Sequence, residues 1–192
     1  MLLVYHSAQA SYPHLETGKI RYAVAMLIGV HIVVGAGIGS LLHNPLGALA
    51  AGMISHFIGD KIPHWEYSAA PLEKLREKKG IKKIKACLEP DTLRVLSYIA
   101  LEIFSGFFLV WLLLAARNAG PREILAAFSG GIGGLLPDVL WGIAENSPFR
   151  LLKLYRKFHH TSHTVYKNGR AVYTLGWQIV AVALSGVLLL RI

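Results

Sequence analysis

The chain has 192 residues, 54% of them hydrophobic and only 16% charged, with a mean hydropathy of +0.46, which is too apolar for an ordinary soluble domain. Its formal net charge of +9 comes from basic residues that lie between apolar runs. That is the pattern of cytoplasmic loops in membrane proteins and argues against a nucleic-acid-binding face. The single cysteine, Cys87, excludes an internal disulfide and a thiolate metal site, so any metal must be held by His, Asp or Glu.

Residues 1–21 are mixed and polar and read as a peripheral N-terminal extension, without the pattern of a signal peptide. The bundle is expected over 22–192. Ala23–Leu42 is about the ~20 residues that cross a bilayer, and its small residues Gly35, Gly37, Gly39 and Ser40 allow helices to approach closely. After the turn signal His43-Asn44-Pro45, Leu46–Gly59 makes a shorter second span, continuing at most to Ile62 before Pro63 stops it. Val95–Ala116, Glu123–Trp141 and Val172–Leu190 complete an all-α, polytopic bundle of about five spans.

Loop 61–94 holds nine of the twenty Lys and Arg in a pattern compatible with a surface helix, and loop 142–171 holds six more. Both are therefore expected inside a bacterial or archaeal cell membrane. A faint repeat, Gly52-x7-Asp60 against Gly130-x7-Asp138, suggests a two-helix unit used twice in parallel.

The chemistry concentrates at the inner ends of these runs. His56, Asp60 and His64 recur every four residues and so share one helical face, and Asp138 and the cluster His159, His160 and His163 end later segments on the same side. Imidazole and carboxylate are ligands for borderline divalent ions, and an ionisable group inside a span normally faces a partner, which adds His31 and Glu102. His6, His14 and His43 have no partners at useful spacing and read as surface residues. The expected metal ligands are His31, His56, Asp60, His64, Asp138, His159, His160 and His163. Asp60 and Glu102 are the candidate catalytic groups, Glu102 as base or further ligand.

His31, Leu136-Pro137-Asp138, His159 to Thr164 and Ser55-His56-x3-Asp60 together resemble the motifs of the YdjM-like group of bacterial membrane-bound metal-dependent hydrolases. In that group the Ser-His-x3-Asp element comes last, whereas here it precedes Leu-Pro-Asp, and Val139, Leu140 and Trp141 replace the polar residues that usually follow. The group is similar to zinc-dependent phospholipase C-like folds, and the resemblance implies metal-assisted hydrolysis.

The expected activity is hydrolysis of an ester or phosphoester of an amphiphilic substrate at the cytoplasmic membrane face. Its cofactor is a divalent metal, with zinc the expected ion, and its partner is a membrane lipid or another amphiphile attracted by the basic loops. Two other classes share the residues. A membrane di-iron oxygenase uses histidine boxes like His159-His160-x2-His163, but needs more histidines than the six suitably placed here. A non-catalytic metal- or lipid-binding membrane protein needs the ligands without an open coordination position.

Overall fold

The computed structural model describes residues 28–62, 78, 81–145, 147–162 and 171–191, and every regular element among them is a helix. In chain order these are α1 (Ile28–Ser40), α2 (Pro45–Gly59), α3 (Ile81–Cys87), α4 (Pro90–Ala116), α5 (Pro121–Glu145), α6 (Arg150–Ser162) and α7 (Ala171–Arg191). The expected N-terminal extension, His64 and His163 lie outside the described residues.

Local chemistry accounts for the helix ends. Asn44 caps α2 by accepting the Leu46 N–H at 3.1 Å, and Pro45 follows where a missing N–H costs nothing. Pro90 and Pro121 open α4 and α5 in the same way. The two tight connections each use a residue at positive φ, His43 at 49° and Asn118 at 57°. Beyond Asn118 the Ala119 N–H reaches back to the Leu114 carbonyl at 3.0 Å. Glu123 then holds the turn by an ion pair with Arg117 at 3.2 Å and a bond from the Gly120 N–H at 2.9 Å.

Glycines bring the helices together. A Cβ on Gly35 of α1 or on Gly52 of α2 would collide with the backbone carbonyl of Gly130 in α5, and one on Gly130 would collide with the Gly35 carbonyl. Such backbone-to-backbone approach is available only to residues without a side chain. The pairing also gives the directions. Along α1, Gly39 meets Ala126 and Gly130 while His31 meets Gly134, so α1 and α5 run antiparallel. Along α2, Gly52 meets Gly130 while His56 meets Gly134, so α2 and α5 run parallel. Gly29 faces Glu102 and Ile32 faces Gly106, so α4 runs parallel to α1. The result is two hairpins, α1–α2 and α4–α5, with equivalent members parallel and the glycines of the Gly-x7-Asp repeat in mutual contact. Beside this seam Ile32, Val33, Ala36, Val110, Leu114, Ala127 and Leu189 form the core that joins α1, α4, α5 and α7.

Two helices are long and apolar enough to cross a membrane, α4 over its 27 residues and α5 over Pro121–Ala144. At 1.5 Å per residue α4 reaches about 40 Å. It starts before the expected Val95, and α5 runs past the expected Trp141 and straight through Pro137. The described part of α1, all of α2, and the apolar part of α7 at Leu175–Arg191 are shorter apolar helices. On α4 the side chains of Leu101, Phe104, Phe108 and Trp111 are exposed, with Phe104 stacked on Phe108 and Phe108 on Trp111 at centroid distances of 5.8 Å. Of loop 61–94 the described part includes the short helix α3, and loop 142–171 contains α6.

The glycine seam makes a paired prediction. Gly130→Ala should destabilise the protein by about 1–3 kcal/mol, because the clashing atoms are backbone and cannot turn aside. Gly142→Ala, where the added methyl meets nothing within 4 Å, should be neutral or stabilising by up to about 1 kcal/mol. Unfolding of the two variants in one detergent measures both, and a neutral Gly130→Ala would remove the seam from this role.

Candidate metal centre

The parallel α2 and α5 bring their C-terminal halves to a common point opposite the start of α1. On α2 the four-residue spacing puts His56 and Asp60 on one face, and Asp60 is also the C-cap, its N–H bonded to the His56 carbonyl at 2.9 Å. From α1 comes His31, from α5 Asp138, and from the inner face of α6 His159. Nε2 of His56 lies 3.2 Å from Oδ2 of Asp60 and 3.6 Å from Oδ1 of Asp138. Nε2 of His31 lies 3.3 Å from Oδ1 of Asp60, and Nε2 of His159 lies 3.6 Å from Oδ1 of Asp138. The rings of His31 and His56 stack at 4.0 Å.

The protonation logic of His56 decides what this arrangement can do. Its Nδ1 stands 2.8 Å from the carbonyl oxygen of Gly134, which only accepts, so Nδ1 carries a proton. Nε2 is then the coordinating nitrogen. It is buried and makes no hydrogen bond among the described residues, although two carboxylates face it. In a neutral His56 the lone pair on Nε2 would face carboxylate oxygens, a repulsion that a cation between them would remove. The spacing also leaves room for a metal ion. Charge-assisted N–H···O contacts are about 2.7–2.9 Å, whereas two ligands bound at about 2.0–2.1 Å to one tetrahedral ion are separated by about 3.3–3.4 Å.

Ligand atoms of His31, His56 and Asp138 lie within 4.8 Å of one another, as do those of His56, Asp60 and His159. His56 belongs to both groups, so the five residues form one continuous donor set of three imidazoles and two carboxylates. That chemistry fits zinc or another divalent ion of borderline hardness. The Gly134 carbonyl supplies the outer contact that orients a ligating imidazole.

Aromatic rings surround the His159 side of the site. His159 is flanked by Trp141, Tyr155 and Phe57 at centroid distances of 6.1, 5.9 and 6.0 Å. Tyr155 donates to the carbonyl of Pro137 at 2.8 Å, tying α6 to the residue before Asp138. Burial, with the negative charge of Asp138 and Asp60 adding to it, pushes the Tyr155 hydroxyl up to about 12, so it stays a donor throughout the physiological range. The two carboxylates are not equivalent. Asp60 is 0% exposed, whereas Asp138 is 26% exposed and marks the open side.

The structure thus brings together His31, His56, Asp60, Asp138 and His159 and leaves two other candidates apart. His160 is exposed, because the next residue along a helix points about 100° away from His159. Glu102 is not among the residues whose ligand atoms meet at the cluster. Its Oε2 accepts the N–H of Ile28 at 2.9 Å, tying α4 to the first described residue of α1. His43 is exposed in its turn. Gly134, Tyr155 and Phe57 were not expected at the site. Tyr155 and Gly134 each precede a site residue, His159 and Asp138, by four positions, and that spacing was the available signal.

No protein-family model, no curated protein and no solved structure matches this chain.

Metal content separates the assignments. Purified protein loaded with zinc and passed through desalting should retain the ion. His56→Ala should lose it most completely, since it joins both groups, while Glu102→Leu should retain wild-type occupancy and lose about 1 kcal/mol of stability with its hydrogen bond to Ile28. Equal occupancy in His56→Ala and wild type, by elemental analysis, would exclude the site.

Proposed function

We propose that the protein is a membrane-embedded metal-dependent hydrolase that acts on an ester or phosphoester of an amphiphilic substrate. The observation that carries this reading is the buried Nε2 of His56, without a hydrogen bond among the described residues and facing two carboxylates, of which Asp138 is partly exposed. A closed structural site has no need of a ligand carboxylate that is 26% exposed. The motif resemblance to the YdjM-like group, though permuted in order along the chain, implies the same reaction class.

His31, His56, Asp60, Asp138 and His159 would hold the ion. When bound, such an ion supplies a Lewis acid for the scissile oxygen and lowers the pKa of water toward ~7. The chain's own contributions are positional. His56 is fixed in one tautomer by Gly134, Asp60 is locked by the end of α2, and the aromatic wall of Phe57, Trp141 and Tyr155 limits access of water from the His159 side. Asp138, the more exposed carboxylate, is placed to accept a proton on the side where substrate enters.

The membrane reading rests on α4 and α5, whose length suits a bilayer, and on the exposed apolar face of α4, which water disfavours. With α1, α2 and α7 also in the bilayer the chain crosses five times. The excess of Lys and Arg in 61–94 and 142–171 then puts both loops, and the site beside them, in the cytoplasm. In whole cells a cysteine introduced at Lys78 should resist an impermeant thiol reagent and react after permeabilisation. Labelling from outside would invert the topology.

Asp60→Ala should abolish both metal retention and turnover of an ester or phosphoester substrate while the protein remains inserted. Asp138→Asn should retain part of the metal and lose at least about a hundredfold in kcat, the scale of a lost general base. Full turnover in either variant, on a substrate that wild type hydrolyses, would sink the assigned roles.

A further inference from the structure

Helix α6 carries three separate faces. Tyr155, His159 and Ser162 turn inward to the metal centre. Leu151, Leu154 and Phe158 form an apolar stripe that remains exposed, at 78%, 58% and 55% respectively. Arg150, Lys153, Lys157 and His160 form a third, basic stripe beside it. At 100° per residue the apolar stripe lies between the inward face and the basic one.

We propose that α6 lies in the headgroup plane of an anionic bilayer, its apolar stripe entering the acyl boundary and its basic stripe meeting lipid phosphates. This rests on the membrane reading of α4 and α5. Four residues separate the end of α5 at Glu145 from Arg150, an extended reach of about 14 Å, so α6 cannot leave the surface at which α5 emerges. It is further pinned there by the Tyr155 bond to Pro137 and by the Lys61 ammonium, which donates to the Thr161 carbonyl at 3.2 Å. An apolar stripe bordered by Lys and Arg is the composition of helices that bind in the interface, and an acidic protein partner would match the basic stripe but leave the leucines without cover. Because His159 sits on the same helix, lipid contact and the metal centre share one rigid element.

The test uses the full chain with Cys87→Ser, in nanodiscs of phosphatidylcholine with phosphatidylglycerol, carrying one nitroxide at a time on Leu154→Cys, Lys153→Cys or Leu112→Cys. The ratio of oxygen to nickel-chelate collision rates reads immersion. The expected result is a severalfold higher ratio at 154 than at 153, with 112 on α4 higher still. Combining Leu154→Cys with Arg150→Gln, Lys153→Gln and Lys157→Gln should lower its ratio, since each basic residue favours an anionic surface about fivefold. Equal ratios at 153 and 154 with 112 still immersed would overturn the proposal and leave the membrane reading standing. Polar ratios at all three positions would overturn both. Shielding of 154 from both reagents, with dipolar broadening between labelled copies, would put a second copy on the stripe and equally overturn the lipid assignment.

Discussion

The structure depends on one backbone contact, the meeting of Gly35, Gly52 and Gly130 where α1 and α2 both rest on α5. No side chain separates the three helices there. Close approach adds dispersion and carbonyl contacts to the packing of the three helices. Its geometric effect matters as much. Only when the axes are this near can His31, His56 and Asp138, on three different helices, bring their ligand atoms within 4.8 Å. A methyl group at Gly130 would act on the metal centre from two helical turns away.

At the other end of the same helices the balance is electrostatic. Burying an ionised carboxylate costs several kcal/mol even after relaxation, and Asp60 is fully buried with Asp138 close by. Glycine packing offsets little of that. The histidines answer it only in part, because the Gly134 carbonyl commits the one proton of a neutral His56 to Nδ1. A divalent cation removes the conflict by serving His56 Nε2 and both carboxylates together. The same grouping of imidazoles and carboxylates is what could hold a metal ion.

Much of this was legible from residue spacing and some was not. The helical class followed from long apolar runs, and Asn44-Pro45 and Gly120-Pro121 marked the turns because their chemistry is local. The Gly-x7-Asp repeat foretold that Gly52 and Gly130, and likewise Asp60 and Asp138, occupy equivalent places; that they touch each other is a tertiary fact with no local signature. Intramembrane cost drew attention equally to His31 and Glu102, yet one reaches the cluster and the other anchors Ile28. The two cases differ in which way the side chain faces, which spacing cannot show without the neighbouring helix. His159 and His160 were indistinguishable in sequence for the same reason, and the inward turn of α6 separates them. Proline 137 was read near a span end, while the helix continues through it to Glu145, tolerated where glycines at 133 and 134 already crowd the neighbouring helices.

The donors are also ordered in time. His31, His56 and Asp60 occur within the first third of the chain, Asp138 follows after a gap of nearly eighty residues, and His159 arrives with α6. During synthesis the early hairpin therefore carries a buried acid and two imidazoles without the groups that complete their coordination. Tight ion capture waits for the second hairpin to dock against the glycines of the first. Because a ligand that binds only the native state adds to its stability, the ion rewards completion of the whole bundle rather than of either half. Were an ion bound, its occupancy would record that both hairpins had docked in register.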